Sequence, residues 1–124
     1  MGEIDFSPEF EKWFMALNDR DTEAVARVVD LLEARGVALG YPYTSAIAGS
    51  AIAMRELRVQ SGGRPLRILY AFDAKRKAFL LLGGEKSGGN RFYQQVIPIA
   101  EAIYKRHLTE ERMEPKSVRE TIGQ

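Results

Sequence analysis

Four arginines stand in a short stretch that otherwise reads as two β-strands and a turn, RELRVQSGGRPLRILYAF at residues 55–72. Arg67 lies in an apolar run, where a charge is costly unless it is paired or faces water or a ligand. An ion pair with Glu56 or Asp73 is the structural alternative, and simple exposure at the turn would explain Arg64. Strands that only build a core do not need such charge. The stretch therefore predicts contact with an anionic ligand through the arginines that it contains: Arg55, Arg58, Arg64 and Arg67.

A glycine-rich segment, LLGGEKSGGNRFY at residues 81–93, adds cationic and phenolic groups after the last apolar strand. Glycines on both sides of Lys86 permit the close approach of a ligand. The Walker A spacing is absent, and a flexible turn before a helix is the structural alternative. Arg91 and Tyr93 begin the next predicted helix, whose N-terminus favours anions. Packing as an ordinary helix aromatic is the alternative role of Tyr93.

Several residue types that other hydrolytic mechanisms need are missing or isolated. The chain has no cysteine, and its one histidine, His107, sits at the end of a predicted helix, where it complements the dipole. Asp and Glu form no magnesium-type cluster near the arginines. We therefore expect neither a metal nor another cofactor. Arg, Lys and Tyr side chains suit phosphodiester cleavage in RNA, because the substrate 2′-hydroxyl supplies the nucleophile and the cations stabilise charge on the phosphate.

The charge distribution agrees with an anionic partner for the middle of the chain. The net charge is +1, but residues 55–91 hold nine basic and three acidic residues, while the remaining segments hold nine basic and fourteen acidic ones. A basic middle favours an anionic partner, and a solvated basic surface at a sheet edge is the alternative. On this basis we expect the flanking cations to assist RNA binding, namely Arg55, Arg64, Arg91, Lys75 and Lys77.

The size and composition of the chain indicate one ordinary globular domain. Its 124 residues match the usual length of a domain with one core. No stretch approaches the roughly 18 apolar residues of a membrane span, and the acidic start MGEIDFSPEF lacks the apolar region of a secretory signal. The expectation is a soluble cytoplasmic protein without a membrane partner.

The first third of the chain predicts a strand and a helical hairpin. Residues 3–6 alternate polar and apolar types, as a short strand does. Ser7 followed by Pro8 is a typical helix start. Asn18 or Asp19 begins a second helix, which ends at Gly36. The apolar faces of the two helices follow helical spacing: Phe10, Trp13, Phe14 and Leu17 in the first, and Val25, Val28, Val29 and Leu32 in the second.

The remainder predicts three strands and a helix. Residues 38–53 read as a loop that leads into strands at 52–59, 66–72 and 78–83, separated by turns at 60–65 and 73–77. A C-terminal helix follows the glycine-rich segment, with a kink or a restart expected at Pro98. We predict one domain over residues 1–108 and a polar, flexible tail over residues 109–124.

The order β-α-α-β-β-β-α predicts an α+β fold in which the helical hairpin and the C-terminal helix pack on an antiparallel-rich sheet of about four strands. We expect the helices to cover one face and to leave the other open for polar groups. Strand alternation places Met54, Glu56 and Arg58 on one side of their strand. In the next strand Arg67 lies on the side opposite to Tyr70.

The segments MRELRV, GGRPLRILYAF and FLLLGGEKSGGNRFYQQVIPIAEAIYKRHL, in this order, resemble the HigB-like, phage Gp49-like branch of the RelE toxin superfamily. The resemblance covers residues 38–108, and the preceding hairpin agrees with it in kind. Members read Leu-Arg, then Arg-x-x-Tyr, then an apolar strand that ends near a Gly and a Lys. Carried over to this sequence, the pattern implies catalytic roles for Arg58, Arg67, Tyr70, Lys86 and Tyr93. Ser87 stands where many members have a second lysine.

The resemblance implies a RelE-like fold and the toxin of a type II toxin–antitoxin pair. Such a toxin is a metal-independent endoribonuclease that cuts mRNA, in most cases on the ribosome. Its partner is a helix-turn-helix antitoxin. Two other functions remain open: a toxin of the same fold that acts on a protein such as gyrase, as the ParE branch does, or a non-catalytic RNA-binding module.

Overall fold

The computed structural model describes residues 3–112, which form five strands and three helices. The sheet has the order β1-β5-β4-β3-β2, with β1 parallel to β5 and every other pair antiparallel. This architecture confirms the predicted α+β class, with one strand more than expected. The elements are β1 Ile4–Phe6, α1 Pro8–Met15, α2 Asp19–Arg35, β2 Thr44–Ala46, β3 Met54–Ser61, β4 Arg64–Phe72, β5 Ala78–Glu85 and α3 Asn90–Arg112, with a 3-10 turn at Gly36–Ala38.

The helical hairpin begins and ends at the residues that the sequence indicated. The Ser7 hydroxyl accepts a hydrogen bond from the Phe10 amide (2.9 Å) and donates one to the Leu81 carbonyl (2.7 Å), so the cap of α1 is fastened to β5. The Asn18 side chain caps α2 by accepting from the Asp21 amide (2.8 Å). Gly36 ends α2 with a φ of 54°, which favours glycine.

The helices cover both faces of the sheet, so the expectation of one open face was wrong. One core cluster joins α1 and α2 to the face that carries Leu57 and Ile68. A second cluster joins α3 to the opposite face, around Leu69 and Leu81. Both faces of β4 are therefore buried, which explains its long apolar run. A polar site on the α3 face must lie where α3 leaves room for it.

Two strands, β4 and β5, are longer than predicted, β3 is shifted by two residues toward the C-terminus, and one strand was missed. β2 lies inside the stretch taken for a loop, where small residues hide a strand signal, and it pairs with β3 through Thr44, Ser45 and Ala46. The turn between β3 and β4 shrinks to Gly62-Gly63, both with positive φ. A register shift between Leu69 and Tyr70 of β4 adds one residue to β5. Because of this bulge, the residues of β5 that follow it point to the opposite faces from those that uninterrupted alternation would give.

The bulge decides what the two glycines near the end of β5 contact. A Cβ on Gly83 would overlap the Trp13 indole of α1, whereas a Cβ on Gly84 would lie 3.1 Å from the Phe92 ring of α3. We expect Gly83→Ala to destabilise the protein by about 1–3 kcal/mol, because α1 must move away from the sheet. Chemical denaturation measures this, with Gly40→Ala as the control, since a Cβ there meets nothing within 4 Å. Equal unfolding midpoints for the two variants would contradict the close packing of Trp13.

The C-terminal helix α3 contains Pro98 and is a single helix from Asn90 to Arg112. It extends into the segment predicted as a tail, and residues 113–124 of that segment lie outside the described residues. The division at residue 108 stays a prediction. In the described part of the chain, no helix is both long and apolar enough to cross a membrane.

Candidate active site

Arg58 and Arg67 face each other across β3 and β4, and Gly84 of β5 stands next in the same row. Arg58 lies four residues after Met54 and Arg67 lies two residues before Leu69, and both of these apolar residues belong to the α3 core cluster. Because residues an even number of positions apart share a face of a strand, both arginine side chains lie on the α3 face. Arg67 is buried at 5% exposure, and Arg58 is half-buried. Like charges directly opposite each other in a sheet are unfavourable, so the pair requires a counter-charge or an anionic ligand.

Glu56 supplies the counter-charge, and it is the central residue of the site. Its Oε2 lies 3.4 Å from Arg58 Nη1 and accepts a hydrogen bond from the Ser45 hydroxyl at 3.0 Å. Its Oε1 lies 3.7 Å from Arg67 Nε. The ion pair between Arg67 and Glu56, which the sequence offered as the structural alternative, is therefore present, but it is a long one.

Tyr93 reaches the same carboxylate from α3. Its hydroxyl donates a hydrogen bond of 2.6 Å to Glu56 Oε1. Burial raises the pKa of Tyr93 above its ordinary value of 10, and the hydrogen bond and negative charge of Glu56 raise it further, while Arg67 opposes the rise. The phenol consequently keeps its proton at neutral pH and can act as a proton donor.

Lys86 closes the site beyond the end of β5. Its backbone N–H donates to the Pro65 carbonyl at 2.8 Å, which fixes the residue beside β4. Its Nζ lies 5.5 Å from the centre of the Tyr93 ring, within the range of a cation–π contact. Two arginines thus contact the Glu56 carboxylate and Lys86 lies beside the tyrosine that donates to it, and this excess of positive charge favours an added anion.

The hydrogen-bonding capacity of Arg67 is only partly used by the protein. One guanidinium nitrogen donates to the Leu66 carbonyl at 3.0 Å. Its Nε is buried and has no hydrogen-bond partner among the described residues. A buried donor without a partner costs about 1–3 kcal/mol. Arg67 and Arg58 also line a cleft of about 740 Å³ between α2, the segment before β2 and the second half of β3. A bound phosphate could approach both arginines through this cleft.

Tyr70, predicted to be catalytic, lies on the opposite face of the sheet. It is 1% exposed, belongs to the core under α1 and α2, and its hydroxyl is 2.6 Å from the Thr44 hydroxyl. This placement separates it from Arg67 by the thickness of the sheet. The geometry disfavours a role for Tyr70 in proton transfer and supports Tyr93.

Two of the four hairpin arginines also stand apart from the site. Arg64 forms ion pairs with Asp21 of α2 and, at 3.0 Å, with Glu85 of β5. The hydrogen bond of Arg64 holds the pKa of Asp21 below its ordinary value. Arg55 lies two residues before Leu57 and therefore on the same face of β3, which is the face that α1 and α2 cover. The contacts of Arg64 indicate a structural role in fastening α2 to the hairpin.

The remaining predicted RNA-binding cations lie at two different ends of the sheet, where Arg91 and Lys75 are exposed and Lys77 is half-buried. Arg91 is exposed in the first turn of α3, close to Lys86 in the chain. Lys75 and Lys77 lie in the turn between β4 and β5, at the end remote from Lys86. Five residues of β4 separate Arg67 from that turn, so its first residue, Asp73, lies six steps or about 20 Å further along the strand. Arg91 can therefore contact the same nucleotide stretch, whereas the two lysines could contact only a more distant part of an RNA.

Glu56, Ser45 and the cleft beside α2 are the parts of the site that we did not predict as functional. A single Glu in a strand does not by itself indicate a functional site. Its position two residues before Arg58 nevertheless places it on the same face of β3 as that arginine. Within residues 3–112, no three His, Asp or Glu side chains come together to hold a metal ion. That the reaction needs no metal stays a prediction.

Comparison with known proteins identifies the family of the chain. Residues 12–105 match the family described as phage derived protein Gp49-like (DUF891). HigB3 of Mycobacterium tuberculosis strain H37Rv, whose name designates it a candidate toxin, is 42% identical over 106 residues, which cover 84% of this chain and 91% of HigB3. HigB2 of the same organism, named in the same way, is 37% identical over 108 residues, which cover 84% of this chain and 54% of HigB2. The chain belongs to the phage-derived Gp49-like family, in the branch that contains the HigB proteins.

Proposed function

We propose that this protein is the toxin of a type II toxin–antitoxin system and that it is an endoribonuclease that cuts mRNA on the ribosome. The observation that carries the proposal is the buried Arg67, whose Nε has no hydrogen-bond partner in the described part of the chain, opposite Arg58 on a cleft. Such a pair of guanidinium groups suits a phosphodiester group. The names of the HigB relatives support the toxin role, and the family resemblance implies a helix-turn-helix antitoxin as the partner.

The proposed reaction uses the substrate's own nucleophile. The 2′-hydroxyl oxygen bonds to the adjacent phosphorus, and its proton passes to solvent. The bond from phosphorus to the 5′ oxygen breaks, which leaves a 2′,3′-cyclic phosphate on one fragment and a 5′-hydroxyl on the other. Arg58, Arg67 and Lys86 stabilise the charge that develops on the phosphate oxygens. Tyr93, which keeps its proton at neutral pH, donates it to the leaving 5′ oxygen and regains a proton from solvent after cleavage.

The function is tested by expressing the wild type in growing cells with and without the protein encoded beside it. We expect growth arrest and new mRNA 5′ ends within translated regions, both suppressed by the neighbouring protein. Purified ribosomes with a defined mRNA should give the same cleavages, whereas the naked mRNA should be cut more slowly. Inhibition of gyrase supercoiling with intact mRNA would overturn the proposal in favour of a protein target. Salt-dependent RNA binding without cleavage in either state would overturn it in favour of a binding module.

The two candidate tyrosines can be separated by parallel substitutions. We expect Tyr93→Phe to lower the turnover number by about 10²-fold, because a general acid typically contributes 10²–10⁴. Tyr70→Phe should keep its turnover and lose about 1 kcal/mol of stability, since it removes a buried hydrogen bond to Thr44. Single-turnover cleavage and urea denaturation measure the two effects. The reverse pattern would return the proton transfer to Tyr70.

A further inference from the structure

The cleft beside the two arginines is larger than a phosphate needs. Its volume is about 740 Å³, within the range of a small-molecule site, and most of its lining surface is apolar. Four residues of α2 form one wall, namely Arg27, Val28, Asp30 and Leu31, and Pro42 and Tyr43 form another. Gln60 of β3 lies in the lining together with Arg58 and Arg67. A mostly apolar cleft whose lining holds three arginines, one carboxylate and one amide fits a ligand with a phosphate and a flat heterocycle.

We propose that this cleft binds the base of the nucleotide beside the scissile phosphate, and this inference rests on the proposed function. Arg58 and Arg67, which both line the cleft, would hold the phosphate at one end. Gln60 follows Arg58 by two residues on the same face of β3, about 7 Å along the strand. A ribose bridges a span of this kind between a phosphate and its base. The base would then lie between α2 and Tyr43, with its polar edge toward the Gln60 amide, which can both donate and accept hydrogen bonds.

Exposed aromatic side chains beside the cleft support a base rather than a lone anion. Tyr43 is 39% exposed, and Tyr41 is 78% exposed. The guanidinium carbon of Arg58 lies 5.6 Å from the centre of the Tyr41 ring. The segment that carries both tyrosines is fastened to β3, because the Arg58 amide donates to the Tyr43 carbonyl at 2.8 Å. Aromatic and guanidinium planes are the surfaces on which unpaired RNA bases stack.

The direct test measures binding, so it does not depend on cleavage. The four nucleoside 3′-monophosphates, ribose 5-phosphate and inorganic phosphate are titrated into the protein and followed by calorimetry or NMR. We expect at least one nucleotide to bind about tenfold more tightly than ribose 5-phosphate, the size of one stacking contact. Tyr43→Ala and Gln60→Ala should remove this difference and leave the binding of inorganic phosphate unchanged. Gln95→Ala, an exposed glutamine of α3, is the matched control and should behave as the wild type.

Cleavage patterns give the second readout. If the wild type cuts mRNA, Gln60→Ala should change the nucleotide frequencies at the cut sites, whereas Gln95→Ala should not. Nucleotides that bind no better than ribose 5-phosphate, in a protein that does cut RNA, would overturn the base subsite and leave the nuclease intact. A protein that discriminates nucleotides but cuts no RNA would overturn the nuclease and retain the base subsite.

Discussion

Replacing Arg67 by alanine is expected to abolish growth arrest and to lower RNA cleavage by about 10²–10³-fold, as for the loss of one transition-state donor. The guanidinium is 5% exposed, lies on the cleft and has an Nε without a partner among the described residues. These donors are already in place before RNA arrives, so they require little rearrangement when charge develops on the phosphate. Mapping of mRNA 5′ ends and single-turnover cleavage on ribosomes measure the loss.

Stability must be measured in the same variants, because Arg67 also balances Glu56. Its removal should leave that carboxylate with fewer partners and destabilise the fold by about 1–3 kcal/mol. Arg67→Lys keeps the charge but not the planar fork, so it should restore most of the stability and only part of the activity. Arg35→Ala, at an exposed arginine in the last turn of α2, should match the wild type in both assays. A folded Arg67→Ala protein that cuts mRNA at the wild-type rate would refute the assignment of the site.

Glu56→Gln is expected to separate RNA binding from turnover. Glu56 contacts Arg58, Arg67, Ser45 and Tyr93 at distances of 2.6–3.7 Å, so it is a positioning residue for both arginines and for the phenol. Gln keeps the shape of the Glu side chain but removes its negative charge. Among these contacts, no other carboxylate lies between Arg58 and Arg67. RNA should therefore bind more tightly, and the salt dependence should steepen by roughly one unit in the log–log slope. Turnover should fall about tenfold or more, because the proton donor is less well held.

The pH profile gives a readout that a purely structural role would not move. A proton donor works while it is protonated, so activity is lost as the pH rises through the pKa of Tyr93. That pKa is raised by burial and also by Glu56, so Glu56→Gln should bring the alkaline loss of activity to a lower pH. Lys86 and Arg67, the other charged groups near the phenol, are unchanged in this variant. Glu85→Gln, the same substitution at an exposed ion pair with Arg64, is the matched control. Weaker RNA binding together with an unmoved profile would contradict the role given to Glu56.

The arginine pair shows what the alternation pattern within a strand can predict. Alternation placed Arg58 on the same side of its strand as Glu56 and placed Arg67 opposite to Tyr70, and the structure confirms both placements, while the register of β3 and β4 adds that the two arginines share a face. The family pattern nevertheless suggested Tyr70, since a short motif records spacing along the chain and not the face of the sheet. The helix starts at Ser7 and Asn18 were predictable for a related reason, because a cap depends only on residues within one turn.

Tertiary structure decided the composition of the site. Tyr93 and Glu56 are 37 residues apart and meet only because α3 packs on the second face of the sheet. The expectation of an open face failed because apolar spacing shows that a helix has a buried side, but not which face of the sheet that side covers. The bulge in β5, the place of Glu56 between two arginines and the cleft against α2 have the same origin. The sequence by itself determined the family, the three helices, four of the five strands and, up to the bulge in β5, the side on which the residues of those strands point. Only packing between distant segments decided which of those residues share one site, because such contacts follow no period along the chain.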